Sequence, residues 1–376
     1  MNLIPYRTTM TRFARRMDKI EISGIRRIFD LIQGMPDAAD FSLGQPDFPP
    51  PEPIQRAAIE AIRDGRNKYT VTQGMPALVE RIKSDLAASA GYRDGGVIVT
   101  AGSAGALFLA LGVLLEEGEE VIIPDPYFAL YKHVVNFYGG KPVFLDTYPD
   151  FRIKPDRLEA LITPKTRAIL FNNPVNPTGI AYTREEVAAI AAVAKRRGVL
   201  LISDEIYEAF SFDFAHECAL KHDPGAILIG GFSKKFGVTG WRLGYAAGPR
   251  DIIDKMAMLQ QFTFVCAPST AQAAALAAFD VDMKHVVDAY RRKRDLVVQG
   301  LKDRFEVVVP QGAFYVYPKC PWGTDEEFVR RAIESKCLVV PGSACSERRT
   351  HFRISYAQSD EVLKRGIDAL NKIARK

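Results

Sequence analysis

Short apolar runs rich in β-branched residues alternate with longer amphipathic stretches between about residues 95 and 248. Near-continuous apolar strands with helices between them predict the α/β fold class, in which helices cover both faces of a mostly parallel sheet. One of the helices begins with a predicted capping box, formed by Thr183 and Glu186. The seven predicted strands are Gly96–Gly102, Glu119–Asp125, Lys141–Thr147, Arg167–Asn173, Gly198–Tyr207, Ala226–Phe232 and Arg242–Gly248.

The pattern changes after about Leu276. A long charged helix is predicted from Val281 to Phe305, and short strands and helices follow it, which indicates a smaller α+β domain. The chain has 376 residues, more than the ~250–300 at which a single core stops growing, so we expect two domains. The predicted division is an N-terminal arm with part of the small domain at 1–43, a large domain at 44–277 and a small C-terminal domain at 278–376.

The composition argues against several classes of partner. Hydrophobic residues make up 47% of the chain and charged residues 25%, as in an ordinary globular protein. The net charge of +5 is spread along the chain, whereas a nucleic-acid-binding surface needs clustered lysine and arginine. The longest apolar run, Ala106–Leu115, is about half as long as a membrane span. We therefore expect neither a nucleic acid nor a membrane as partner.

The cysteines and histidines indicate the compartment and the metal content. Five cysteines are scattered without any CxxC pair, and we interpret them as buried thiols in a reducing compartment. The N-terminal segment is basic but has no apolar core of a secretory signal, so we interpret it as a structural arm, with a transit peptide as the alternative. We predict a cytoplasmic protein. The five histidines never fall at metal-ligand spacing, and we predict no metal site.

Polar and glycine-rich residues follow the predicted strands, where ligands bind in sheets of this kind. In TAGSAGALFLAL, a strand leads through a tight turn into a helix. The backbone N–H groups of Ser103, Ala104 and Gly105 would lie free at the helix N-terminus, which suits a phosphate group. The segment matches neither nucleotide-binding glycine pattern. The alternative is a plain turn of small residues.

Two further strand ends bear an amide and a carboxylate. NNPVNPTG follows a buried strand, and its Asn176-Pro177 step sets a rigid turn that holds an amide at a fixed point, unless it is an ordinary turn. ISDEIY places Asp204 at the exit of the most apolar strand, with Tyr207 three residues later. An unpaired buried charge is costly, so Asp204 either meets a cationic group of a ligand or caps the following turn.

FSKKFGVTGWR contains two adjacent lysines, Lys234 and Lys235, followed by Arg242. A partly desolvated lysine has a lowered pKa and is a nucleophile toward carbonyls, and the guanidinium fork suits a phosphate. The alternative is a solvated loop, which the apolar Phe236 and Trp241 disfavour. A phosphate cradle, an amide, a carboxylate with a phenol and a Schiff-base lysine are together the set that pyridoxal 5′-phosphate requires.

With these motifs the sequence resembles the class I aminotransferases, which are fold-type I pyridoxal-phosphate enzymes, over nearly its whole length. The motifs occur in the order of that family. They are GQPDF at Gly44–Phe48, KYT at Lys68–Thr70, then TAGSAGAL, DPYF, NPVNPTG, SDEIY, SKKFGVTGWRLGY and HFRISYA. The family pattern S-K-x-F-x-x-T/P-G-W-R places the reactive lysine directly after the serine.

The resemblance implies a role for each candidate residue. Lys234 is expected to form the Schiff base and to carry the proton, whereas Lys235 is expected to turn toward solvent or an acidic neighbour. Asp204 would pair with the cofactor's ring nitrogen, and Tyr207 with Asn176 would bond the ring oxygen. The remaining expected cofactor contacts are Phe128 stacked on the ring, and Ser103, Ala104, Gly105, Ser233 and Arg242 around the phosphate.

The resemblance also implies substrate contacts and a partner. Arg353 in FRISYA matches the arginine that grips the substrate α-carboxylate, with Asn176 beside it and the backbone of Gly44 opposite. The alternative for Arg353 is a surface arginine in an edge strand. Tyr69 is expected to reach the phosphate of a neighbouring subunit, which implies a homodimer with shared sites.

The chain departs from the family pattern at two positions. Many members have a phosphate-contacting serine where this chain has Gly231, and we expect Ser233 to compensate. The segment PGSACS has Cys345 where relatives have an aromatic residue, which weakens any inference about the side-chain pocket.

The predicted activity is transfer of the amino group of an L-amino acid to a 2-oxo acid, in ping-pong half-reactions. Aspartate is the first choice of donor, with aromatic residues and alanine open, and 2-oxoglutarate is the expected acceptor. A pyridoxal-phosphate lyase or β-eliminating enzyme is the alternative with the same site. An aminotransferase-like regulatory protein is a remote alternative, because it needs a DNA-binding domain ahead of GQPDF and 43 residues precede Gly44.

Overall fold

The computed structural model describes residues 13–20, 35 and 37–375, so most of the predicted N-terminal arm lies outside the described residues. The helices are α1 (Glu52–Arg63), α2 (Pro76–Ala90), α3 (Gly102–Leu114), α4 (Leu130–Phe137), α5 (Pro155–Ala160), α6 (Arg184–Arg197), α7 (Arg250–Gln261), α8 (Ser269–Ala278), α9 (Lys284–Leu301), α10 (Asp325–Glu334) and α11 (Asp360–Ile373). Short 3₁₀ helices cover Arg15–Lys19, Ala219–Lys221, Thr239–Trp241 and Gly342–Ala344. The strands are β1 (Ala39–Asp40), β2 (Gly96–Thr100), β3 (Glu120–Asp125), β4 (Lys141–Asp146), β5 (Thr166–Asn172), β6 (Leu200–Asp204), β7 (Ile227–Gly231), β8 (Gly244–Gly248), β9 (Tyr315–Val316), β10 (Cys337–Leu338), β11 (Val340–Pro341) and β12 (Phe352–Ser355).

The central sheet has seven strands in the order β2-β8-β7-β6-β5-β3-β4. Every neighbouring pair is parallel except the two pairs made by β8. This confirms the predicted mostly parallel seven-stranded sheet. The strand predicted to continue to Tyr207 ends at Asp204 instead, because the chain turns there and the N–H of Glu208 donates to the carbonyl of Glu205 (2.9 Å).

Both faces of the sheet are buried, as near-continuous apolar strands require. Successive residues of β6 enter different clusters: Leu201 packs on the side of α6, with Ile190, and Ile202 packs on the side of α3 and α7, with Leu107 and Met256. The predicted capping box begins α6, since the N–H of Thr183 donates to Glu186 Oε2 (2.8 Å) and the N–H of Glu186 donates back to Thr183 Oγ1 (3.4 Å).

The C-terminal part forms two small sheets, with strand order β11-β12-β9 in one and β1-β10 in the other. Strand β12 is central in its sheet, so Arg353 does not lie in an edge strand. The predicted long charged helix spans α9, from Lys284 to Leu301. Pairing of Ala39 with Cys337 places the segment before Gly44 beside the C-terminal strands. The domain boundaries themselves stay a prediction.

No described helix is long and apolar enough to cross a membrane. No group of three or more histidine, cysteine or acidic side chains in the described part of the chain is placed to hold a metal ion. The five cysteines are unpaired; four are buried, but Cys266 is partly exposed, which corrects the prediction that all are buried.

Candidate active site

A cavity of about 240 Å³ opens at the carboxyl ends of β5, β6 and β7, where the N-terminus of α3 and the strands β9 and β12 meet the central sheet. Of the thirteen residues proposed from the sequence, two do not line it: Gly105 is buried within the first turn of α3, and Tyr69 lies on the surface. The other eleven line the cavity together: Gly44, Ser103, Ala104, Phe128, Asn176, Asp204, Tyr207, Ser233, Lys234, Arg242 and Arg353.

The two adjacent lysines point to different places. Lys234 enters the cavity partly buried, and its ammonium donates to the carbonyl of Gly44 (2.6 Å). Burial, and then the nearby Arg242 and Arg353, lower the pKa of Lys234 to about 8. Lys235 lies 3.6 Å from Glu208 Oε1, both side chains being partly exposed, which confirms that it turns toward an acidic neighbour. Of the two lysines, Lys234 is therefore the one that lines the cavity.

Asp204 is buried at the last position of β6. Its Oδ2 accepts a hydrogen bond from the hydroxyl of Tyr131 (2.8 Å), and its Oδ1 accepts one from the N–H of Ile206 (3.2 Å). Burial raises the pKa of Asp204 to about 6, while these two hydrogen bonds oppose the shift. The carboxylate thus contacts the following turn, and it also lines the cavity. Its pairing with a cationic group of a ligand stays a prediction.

Asn176 connects the two sides of the cavity. Its N–H donates to Asn172 Oδ1 (2.7 Å), which fixes the turn after β5. Its side-chain nitrogen donates to the hydroxyl of Tyr207 (3.4 Å), and its side-chain oxygen accepts from Arg353 Nη1 (3.0 Å). A second phenol, that of Tyr315, lies 2.8 Å from the hydroxyl of Tyr207. The amide therefore holds a phenol on one side and a guanidinium on the other.

Arg353 is 2% exposed, in the middle strand of its sheet. Besides Asn176, it donates from Nη2 to the carbonyl of Ser42 (2.7 Å). Its Nε is buried and has no hydrogen-bond partner among the described residues. A buried donor without a partner is costly, so Nε is suited to donate to a ligand. A carboxylate fits best, because it accepts two parallel hydrogen bonds from a guanidinium.

The opposite end of the cavity fits an anion. Helix α3 begins at Gly102, which has a positive φ of 74°, and Ser103 and Ala104 of its first turn line the cavity together with Arg242. The first N–H groups of a helix have no partner within it and suit an anion. Strand β8 comes very close here: a Cβ on Gly244 would lie 2.6 Å from the backbone N of Ser103, and a Cβ on Gly102 would lie 2.5 Å from Arg242 Nη2. A Cβ at position 244 would collide with backbone, and a Cβ at position 102 would displace the guanidinium and be strained by the positive φ.

Gly231, the position at which the family pattern leads one to expect a serine, pairs with Gly244 of β8. A Cβ there would lie 2.8 Å from Ile206 Cδ1 and 3.2 Å from the Cα of Gly244. A serine side chain would therefore require its neighbours to move. Ser233 lines the cavity instead.

These groups fit pyridoxal 5′-phosphate: an anion cradle at a helix N-terminus, an amine of lowered pKa, a buried carboxylate and an amide with a phenol. Surrounding one cavity at the edge of a mostly parallel seven-stranded sheet, they define the fold-type I class of pyridoxal-phosphate-dependent enzymes. The profile of the family described as Aminotransferase class I and II matches residues 36–370, and the chain belongs to this family. It is an aminotransferase that uses pyridoxal phosphate.

Known relatives agree with this assignment over almost the whole chain. The probable aspartate aminotransferase of Methanocaldococcus jannaschii is 36% identical over 371 residues, which are 95% of this chain and 98% of that protein. Aromatic-amino-acid aminotransferase 2 of Thermococcus litoralis is 35% identical over 380 residues, 96% of this chain and 97% of that protein. The structure of the aspartate aminotransferase from Thermus thermophilus with maleate matches with a TM-score of 0.92 at 32% identity, covering 97% of this chain and 100% of that one.

Two tyrosines of the site were missed from the sequence, Tyr131 and Tyr315. Tyr131 follows Phe128 by three residues at the start of α4, and this helical spacing could have placed both on one side. The rings of the two residues are in edge contact, with centroids 5.6 Å apart. Tyr315 belongs to the apolar run GAFYVYP, in which nothing distinguishes it from Tyr317.

Proposed function

We propose that the chain transfers the amino group of L-aspartate to 2-oxoglutarate, with Lys234 as the Schiff-base amine. The observation that supports this most directly is the position of the Lys234 amine, whose pKa is lowered to about 8, in the same cavity as the buried groups Asp204 and Arg353. The cofactor, when bound, supplies an electron sink that makes the substrate Cα–H bond acidic. The protein has to bind both molecules, orient them and move one proton.

Each group has one task in this proposal. The fork of Arg353 binds the α-carboxylate and fixes the plane in which the Cα–H bond stands. Lys234 takes the proton from the substrate Cα as a general base, since its lowered pKa leaves part of the amine neutral near pH 8. Asp204 keeps the cofactor's ring nitrogen protonated. Asn176 and Tyr207 both donate hydrogen bonds to the ring oxygen.

The remaining residues hold the cofactor in place. Phe128 lines the cavity on the side of α4 and is proposed to stack on the ring. The phosphate is proposed to lie at the start of α3, with the contacts shared among Ser103, Ala104, Gly105, Ser233 and Arg242.

The donor is proposed from the relatives, several of which are named aspartate aminotransferase. An aromatic donor is the second candidate, and one relative is named for such donors. A specific observation favours an aromatic donor. The cations among the described lining residues are Lys234, Arg242 and Arg353, and each already has a proposed task. None of these three is left to bind the side-chain carboxylate of aspartate. The rings of Phe128 and Tyr315 also line the cavity.

A panel of amino acids tests the proposal. The purified holoenzyme is mixed with aspartate, phenylalanine, tyrosine or alanine, without any oxo acid, and conversion of the bound cofactor to its amine form is followed by absorbance. We expect the fastest conversion with aspartate, and return of the original spectrum when 2-oxoglutarate is added. Faster conversion with phenylalanine than with aspartate would show that the donor is an aromatic amino acid. Release of ammonia and pyruvate without an oxo acid would identify the alternative, a lyase.

We also propose a homodimer, in which Tyr69 reaches the partner's phosphate site. Tyr69 is 83% exposed, and exposed apolar side chains also occur on α1, at residue 71, on α7 and in the segment after α7. Residues 67–69 line the same surface cavity as residues 266–269. This surface is next to α3, because a Cβ on Gly105 of that helix would lie 3.6 Å from the ring of Phe264. The apolar group consists of Ile59, Ile62, Tyr69, Val71, Met258, Phe262, Phe264 and Val265.

Sedimentation equilibrium tests the dimer, with an expected mass twice the 41.7 kDa of the chain. Val71→Asp is the perturbing variant, because a charge in an apolar interface should shift the equilibrium toward the monomer. Met17→Asp, at an exposed position outside the proposed surface, is the control. A wild-type chain that sediments as a monomer would contradict the proposal. The cytoplasmic location stays a prediction, to be measured by cell fractionation.

A further inference from the structure

Tyr315 lies where the two sides of the cavity meet. It is 1% exposed, on β9, and its hydroxyl is 2.8 Å from that of Tyr207. Its ring lies under Arg353, with the guanidinium carbon 4.8 Å from the ring centre. Its hydroxyl also approaches Gly44 so closely that a Cβ there would lie 2.3 Å away. No role assigned above uses this residue.

The hydrogen bonds around Tyr207 define what Tyr315 must do. A phenol has one proton to donate, and the proposed task of Tyr207 is to donate it to the ring oxygen of the cofactor. The side-chain nitrogen of Asn176, the other neighbour of this hydroxyl, is only a donor. Tyr315 is able either to donate to Tyr207 or to accept from it. Only the first direction leaves the proton of Tyr207 available for the cofactor.

The surroundings favour that direction. Burial raises the pKa of both phenols, and the positive charge of Arg353 opposes the rise at each of them. At Tyr207 the charge of Asp204 acts the other way and raises the pKa further. Tyr315 is therefore the more acidic phenol of the pair, and the more acidic partner is the better hydrogen-bond donor.

We propose that Tyr315 is a positioning residue that donates its hydroxyl proton to Tyr207 and transmits the occupancy of Arg353 to the cofactor's ring oxygen. When a substrate carboxylate neutralises Arg353, Tyr315 becomes a weaker donor, and Tyr207 in turn donates less strongly. Binding at the carboxylate site is thereby communicated to the cofactor side through two hydroxyl groups. This inference rests on the proposed roles of Arg353 and Tyr207.

The pH titration of the bound cofactor's absorbance measures this effect. A donor at the ring oxygen stabilises its negative charge, so a stronger donor lowers the titration midpoint and a weaker one raises it. The charged groups that face the phenol pair are Arg353 from β12, Asp204 from the end of β6, and Lys234, whose amine is 6.0 Å from the ring centre of Tyr207. None of them is altered in the variants below.

The experiment compares Tyr315→Phe with Tyr317→Phe, each as the holoenzyme. Tyr317 is the matched control, because it is buried two residues away and its hydroxyl donates to the carbonyl of Gly342 (3.4 Å). Each protein is titrated with and without a saturating unreactive carboxylate. This is succinate if the donor panel selects aspartate, and 3-phenylpropionate if it selects an aromatic donor.

We expect the midpoint to rise in Tyr315→Phe, and the shift caused by the carboxylate to fall to less than half of the wild-type shift. Loss of one hydrogen bond should also reduce kcat about fivefold, with a smaller change in KM. Tyr317→Phe should behave as the wild type in the titration. Equal carboxylate shifts in Tyr315→Phe and the wild type would overturn the inference.

A second variant keeps the inference testable if Tyr315→Phe does not fold. Replacing Tyr315 by 3-fluorotyrosine retains the hydroxyl and makes it more acidic, so the midpoint should fall instead of rise. An unchanged midpoint would contradict the proposal. A wild-type protein without a lysine-bound cofactor spectrum would contradict the proposed function itself, and the two failures are therefore distinguishable.

Discussion

The two sides of the cavity are built in different ways. On the cofactor side, Asp204 ends β6 and Lys234 follows β7, so these side chains lie where neighbouring parallel strands stop at the same edge. On the carboxylate side, Arg353 and Tyr315 lie within the antiparallel strands β12 and β9. The first side depends on short local segments of chain, and the second depends on how a separate sheet docks onto the first.

Two hydrogen bonds join the sides. One connects Arg353 to Asn176, and the other connects Tyr315 to Tyr207. The comparison therefore predicts that changes on the cofactor side alter the chemistry with any donor. Changes on the carboxylate side should alter how the donor is held and leave the cofactor bound.

The largest effect is expected for Lys234→Ala. This variant should lose both transamination and the lysine-bound absorbance of the cofactor, because no other amine lies in the cavity among the described residues. Lys235→Ala is the matched control and should keep both, with a change in stability of about 0–1 kcal/mol, since its pair with Glu208 is partly exposed. Peptide mapping after borohydride reduction checks the assignment, and a label on Lys235 would contradict it.

Asp204→Asn should bind the cofactor but react more slowly with every donor. The loss of one preorganised charge in a buried site typically reduces kcat by about 10²–10³. Single-turnover absorbance with the donor panel measures this effect. Turnover close to the wild-type rate would mean that Asp204 serves only the turn after β6.

Arg353→Lys tests the carboxylate side with the charge retained. The ammonium cannot reproduce the fork, and loss of one charge-assisted hydrogen bond should reduce kcat/KM about 10- to 100-fold for all donors. Cofactor affinity should be unchanged. Arg348→Lys is the control, because Arg348 pairs with Asp146 at the surface (2.6 Å). If Arg353→Lys lost cofactor affinity by as large a factor as kcat/KM, the carboxylate side would also be needed to bind the cofactor, which would contradict the comparison.

The smallest effect is expected for Tyr131→Phe, as a shift in pH dependence. The hydroxyl of Tyr131 favours the ionised form of Asp204, so its removal should raise the pKa of that carboxyl above its present value of about 6. Because the carboxylate is the active form, the acid limb of the kcat profile should move to higher pH, by about one unit. An unmoved limb would show that the hydrogen bond does not stabilise the carboxylate.

Most of the cofactor side could be predicted from the sequence. Its groups follow strands, and an apolar run in the sequence predicts each of these strands. The strand order, and the antiparallel direction of β8, are not encoded in any local pattern. Arg353 was found by resemblance, and its alternative, a surface arginine in an edge strand, is wrong because tertiary packing buries it in the middle strand. Tyr315 was missed because its strand has an ordinary apolar pattern, and only docking of the two sheets brings its hydroxyl to Tyr207.

The loop GQPDF has a consequence for protein engineering. The carbonyl of Gly44 accepts from Lys234, its missing Cβ leaves room for the hydroxyl of Tyr315, and Asp47 further along the loop accepts from Tyr290 of α9 (2.7 Å). A library that randomises Gly44 to change donor preference should therefore return almost no active clones.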